Sequence, residues 1–124
     1  MKLLAVTTLL ILMSPALYSQ DLTGQWSGTL NVQGTQLRLI FHVLKTDTLF
    51  KATMDSPDQK ANGSPVTTVN FNYPNLKFKI SNLGAVYEGT MSGNRIAGKW
   101  MQSGQTFLLD LSKTEPTSKV DNPL

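Results

Sequence analysis

The sequence predicts an all-β domain, an antiparallel meander of about eight short strands closed into a small barrel. Three observations predict it. From Gln25 onward the apolar residues recur at every second position, which is the strand period. Turn residues punctuate the runs at short intervals. No stretch beyond the first twenty residues keeps a helical period for two turns.

Taken in order, the first apolar face is Trp26, Gly28, Leu30 and Val32, and the second is Leu37, Leu39, Phe41 and Val43. Phe50, Ala52 and Met54 make the third, Val69 and Phe71 the fourth, and Leu76, Phe78 and Ile80 the fifth. Tyr87-Gly89-Met91, Ile96-Gly98-Trp100 and Phe107-Leu109-Leu111 complete the eight. Between them stand Gly34, Asp47, Asn72-Tyr73-Pro74-Asn75, Asn82 with Gly84, Ser92-Gly93-Asn94 and Ser103-Gly104. Connections this short pair successive strands as hairpins. The one longer connection, Ser56 to Pro65, opens Ser56-Pro57-Asp58-Gln59. A capping hydroxyl, a proline at the first helical position and a glutamine three places after the cap predict one helical turn there.

A meander leaves two exposed edges unless the sheet closes on itself. Eight strands is a common number for small closed barrels of the lipocalin or avidin kind. Gly28, Gly89 and Gly98 fall mid-strand on the inward face, where a missing side chain relieves crowding or permits a bend. A two-sheet sandwich is the alternative architecture.

The chain has 124 residues and no cysteine. Residues 1–19 read as a secretory signal peptide. Lys2 gives the basic start, Leu3 to Met13 is almost wholly apolar, Ser14-Pro15 breaks the run, and small residues stand at Ala16 and Ser19. The run is shorter than the ~20 residues a membrane-spanning helix needs. The expected domains are therefore the signal peptide (1–19), a β-barrel (20–111) and a polar, proline-marked tail or linker stub (112–124). The product would be exported, periplasmic or secreted, without a disulfide staple. The formal charge of +3 is spread singly along the chain rather than gathered in a stripe, which argues against a nucleic-acid partner.

The residue inventory points away from catalysis. His42 is the one histidine, and it lies in a strand on the face opposite Leu39 and Phe41. No Gly-x-Ser-x-Gly elbow is present. No acidic residue stands near His42 in sequence to share a metal. Asp55 and Asp58 fall short of the six to eight oxygens calcium takes. Their expected roles are local: Asp55 ends a strand, and Asp58 favours the positive end of the helical turn. Glu88 and Asp110 point outward by alternation, so they do not converge as a glycosidase pair. Asn62-Gly63-Ser64 and Ser92-Gly93-Asn94 are isolated turns rather than phosphate cradles. No catalytic, cofactor or metal residue is expected.

Several stretches together resemble a known family. Thr23-Gly24-Gln25-Trp26-Ser27-Gly28-Thr29-Leu30, Gln36-Leu37-Arg38-Leu39-Ile40-Phe41 and Ala52-Thr53-Met54-Asp55-Ser56-Pro57-Asp58-Gln59 carry it. So does the closing stretch with Tyr87, Gly89, Gly98, Gln102, Gly104 and Gln105-Thr106-Phe107. They resemble the N-terminal β-domain that precedes serine α/β-hydrolase domains in secreted proteins of Gram-negative bacteria. The Met54-to-Gln59 string is the most specific part. The resemblance implies an accessory domain beside an esterase- or peptidase-like enzyme, with the nucleophile, acid and histidine lying outside this domain.

Two binding modes follow. Trp26, Phe41, Tyr87 and Trp100 are expected inside, either as filling or as the wall of a cavity for an apolar small molecule. An empty cavity of ~300 Å³ would cost on the order of 7 kcal/mol at ~24 cal/mol per Å³, against a total stability of ~5–15 kcal/mol. A barrel plugged by its own side chains is therefore favoured. On the outside, Ile40, Leu44 and Leu49 break the polar face expected of a solvated strand and are candidates for one partner-docking patch. Val86 and Leu108 are also outward and apolar.

Overall fold

In the computed structural model, which describes residues 21–114, alternating sequence becomes antiparallel sheet throughout. The expected signal peptide and residues 115–124 lie outside the described residues. The strands are β1 (Gly24–Val32), β2 (Thr35–Thr46), β3 (Leu49–Ser56), β4 (Ala61–Pro65), β5 (Thr68–Asn72), β6 (Asn75–Ile80), β7 (Ala85–Ser92), β8 (Arg95–Gln102), β9 (Gln105–Leu108) and β10 (Leu111–Thr114). They form one sheet in the order β4-β3-β2-β1-β10-β8-β7-β6-β5, with β9 also paired to β8.

All eight apolar runs are strands, and the two additional ones have local causes. The last run divides at Leu109–Asp110: β9 pairs with β8 over Lys99–Gln102, and β10 then turns onto both β8 and β1. Ser112, Lys113 and Thr114, expected in the tail, thus belong to the sheet. The long connection holds β4 as well as the predicted turn. That turn is a 3-10 helix over Pro57–Gln59, closed by Lys60 in the left-handed region, and the Ser56 hydroxyl donates to Gln59 Oε1 at 2.6 Å.

The all-β antiparallel class is as expected, but hydrogen bonding does not close the sheet into a barrel. The segment that would complete the ring, 61–72, pairs with β3 in its first half and with β6 in its second. The changeover occurs between adjacent residues: the Val66 N–H donates to Ala52 O at 3.0 Å, and the Thr67 N–H to Lys79 O at 2.7 Å. Between β3 and β5 no ladder forms. The open order is consistent with the sandwich alternative.

Within the fold, alternation sorts the side chains as predicted. Trp26, Phe41, Tyr87 and Trp100 are all buried in one core with Leu22, Phe78, Ile80, Ile96, Leu109 and Leu111. The rings of Phe41, Phe78 and Tyr87 pack together, with centroids 4.7 Å apart for Phe41–Phe78 and 6.1 Å for each pair with Tyr87. The polar ends of buried aromatics are satisfied. Trp26 Nε1 donates to Leu22 O at 2.8 Å, Trp100 Nε1 to Gln102 Oε1 at 3.0 Å, and the Tyr87 hydroxyl to Leu109 O at 2.8 Å. Gly98 is required by that last arrangement: a Cβ there would lie 2.4 Å from the Tyr87 hydroxyl oxygen and 2.6 Å from Glu88 O.

Candidate interaction site

The β2–β3 hairpin builds the site. Its two-residue turn, Asp47-Thr48, is closed by the pair Thr46–Leu49, and the pairing then runs Leu44–Lys51, His42–Thr53 and Ile40–Asp55. All eight of these residues point to the outer face. Leu44 and Leu49, diagonal neighbours across the hairpin, are 53% and 65% exposed. Diagonal pairs on one face lie within reach of long side chains.

Ile40 does not join them. Along one strand face, Ile40 and Leu44 are about 13 Å apart at ~3.3 Å per residue, and His42 stands between. Its Nε2 lies 2.7 Å from Asp55 Oδ2. The expected three-residue patch is corrected to the Leu44–Leu49 pair, with Ile40 half-buried on the far side of this polar bridge. Leu108, at 76% exposed, stands apart on β9 opposite Lys99, and Val86 is half-buried on β7.

Asp55 was expected only to end a strand. It sits where the β3–β4 register shifts, between Met54 and Ser56, and such a bulge re-aims a side chain. Its second oxygen accepts the Gly63 N–H at 2.7 Å, so one carboxylate joins β2, β3 and β4. The bonds from Gly63 and then His42 hold the Asp55 carboxyl below the usual carboxylate range. Asp58 stands in the first turn of the 3-10 helix, as expected, and also faces Arg38. It accepts the Arg38 backbone N–H at 2.8 Å, Nη2 at 3.0 Å and Nε at 3.3 Å, which lowers its pKa as well. Both aspartates therefore pin the connection after β3 onto β2. Glu88 is exposed, with Lys77 Nζ at 3.6 Å, and the Asp110 carboxylate accepts the Gly98 N–H at 3.4 Å.

A His–Asp pair is half of a hydrolytic relay, which also needs a hydroxyl on the other ring nitrogen. Among the described residues no serine or threonine hydroxyl bonds to His42, and no group of three His, Cys, Asp or Glu residues is placed to hold a metal. Trp26 and Trp100 are core residues, at 0% and 2% exposed, and offer no stacking platform for a sugar.

Beside the exposed leucines lies a cleft of about 680 Å³. Leu44, Leu49, Phe50, Lys51 and Ala52 line it from β2 and β3, and Val66, Thr68, Val69 and Asn70 from the segment across the gap. It occupies the gap where β3 and β5 fail to pair. A smaller hollow of about 320 Å³ brings Leu44 and His42 together with Gln25, Lys113 and Thr114.

No family model, curated protein or solved structure matches the chain.

Proposed function

We propose that this domain is an exported, non-catalytic accessory module that docks against a protein partner through Leu44 and Leu49. The supporting observation is that these two leucines are the paired exposed hydrophobes of a polar strand face, at the lip of an apolar cleft. Singly exposed hydrophobes are ordinary; a pair bordering a concave apolar surface has the composition of a recognition site. The resemblance to domains that precede serine α/β-hydrolases makes a hydrolase domain the favoured partner, whether on the same chain or another.

A photo-crosslinking amino acid placed at position 44 or 49, in the cells that make the protein, tests the proposal. We expect one protein adduct of defined mass from both positions and none from position 75, on a different part of the sheet. Adducts at all three positions alike, or at none, would count against a docking face here.

A second reading is a carrier for an apolar small molecule. The cleft volume favours it, being within the ~300–1,000 Å³ usual for ligand sites. Here the ligand would lie at the β3–β5 gap rather than within the core.

A further inference from the structure

The β3–β5 cleft is an apolar groove bordered by unsatisfied strand edges, and that combination selects its occupant. A two-residue hairpin turn closes with a pair that exchanges both main-chain bonds, and the bonded pairs then recur at every second residue. In the β5–β6 hairpin that pair is Asn72–Asn75, so Thr68, Asn70 and Asn72 bond to β6. The N–H and C=O groups of Val69 and Phe71 consequently point away from β6, and Val69 lines the cleft. On β3, Ala52 O already accepts Val66 N–H, so the same period turns the main-chain groups of Phe50 to the cleft too. Among the described residues no backbone bond spans β3 and β5 beyond Val66. Their inner sides are instead joined by the rings of Phe50 and Phe71, edge to face at 5.8 Å.

An alkyl chain would bury these donors and acceptors without partners, which opposes its binding. An extended peptide satisfies them while its side chains cover Leu44 and Leu49. Charge narrows the choice further. The cleft is lined by Lys51 and by no aspartate or glutamate. Lys45 sits at the same end, its ammonium 5.3 Å from the centre of the Phe50 ring, and Lys79 pairs with Thr68.

We infer that the cleft receives one extended polypeptide segment, apolar at alternate positions and flanked by carboxylates, which adds to the free edge of β5. This rests on the docking role proposed above and specifies the chemistry of the partner.

The probe is a blocked seven-residue peptide, Glu-Val-Thr-Val-Thr-Val-Glu, added to the labelled protein and followed by amide NMR. We expect the Phe50, Val69 and Phe71 amides to shift and their hydrogen exchange to slow by roughly tenfold or more. N-methylation of the peptide's valines should abolish the effect, and Lys51→Glu should weaken binding about fivefold at low salt. The inference is overturned if these amides do not respond, or if the N-methylated peptide or decanoate slows them equally. Persistence of the crosslinks at 44 and 49 in that case would mean a partner held by side chains alone, so this inference would fail and the docking role stand. Loss of both would remove the docking role as well.

Discussion

Tyr87 shows how single residues decide this core. Its ring packs against both Phe41 and Phe78 while its hydroxyl reaches across to the main chain at Leu109. Burial pushes the phenol pKa well up, so it stays a neutral donor. Gly98 leaves the space for that hydroxyl, and any side chain there meets it. Tyr87→Phe keeps the ring but orphans a buried carbonyl, for an expected loss of ~1–3 kcal/mol in urea unfolding. Gly98→Ala should cost at least as much, through overpacking of ~1–3 kcal/mol with backbone shifts added. A Gly98→Ala protein as stable as the parent would show that Tyr87 is not held as described. Alternation reveals the inward place of both residues. The Tyr87–Leu109 bond was not legible, because it depends on where the chain kinks between β9 and β10.

At the scale of elements, the hairpins were readable wherever turn chemistry is strong. Gln33-Gly34 and Ser103-Gly104 take positive φ at both residues, 53° and 88° and then 53° and 75°, as tight hairpin turns require. The Pro57–Gln59 turn was equally plain from its cap and proline. The His42–Asp55 pair was missed although the signal existed: counting pairs outward from the Asp47-Thr48 turn puts Asp55 one diagonal step from His42. What gave no signal was β4, since Ala61-Asn62-Gly63-Ser64-Pro65 has no apolar alternation. It is held by its ladder with β3 and by the Asp55 carboxylate at Gly63. A carboxyl held below its unfolded value contributes stability that is complete above about pH 4 and is lost as pH falls through its folded value. Asp55 and Asp58 both belong to this class. Denaturation midpoints should therefore drop as pH falls below about 4, and Asp55→Asn should be less stable at pH 7 with a shallower acid slope. An unchanged slope would mean that the Gly63 and His42 bonds do not survive in solution.

For the whole molecule, composition and period were enough for class and strand direction but not for closure. Whether a meander ends as a hydrogen-bonded ring depends on one segment serving two neighbours along its full length. Residues 61–72 divide that task, and nothing in the alternation of Val69 and Phe71 announces the division. The gap left behind sits beside the two exposed leucines, while the interior is filled by the protein's own aromatic rings. The proposed docking surface for protein therefore lies on the outer face of a sheet whose inner face is filled. Native mass spectrometry of residues 20–124, purified without detergent, tests this most directly. The expected mass is that of the polypeptide alone, as monomer or dimer. A discrete excess of a few hundred daltons, lost on denaturation, would contradict it and make the molecule a small-molecule carrier.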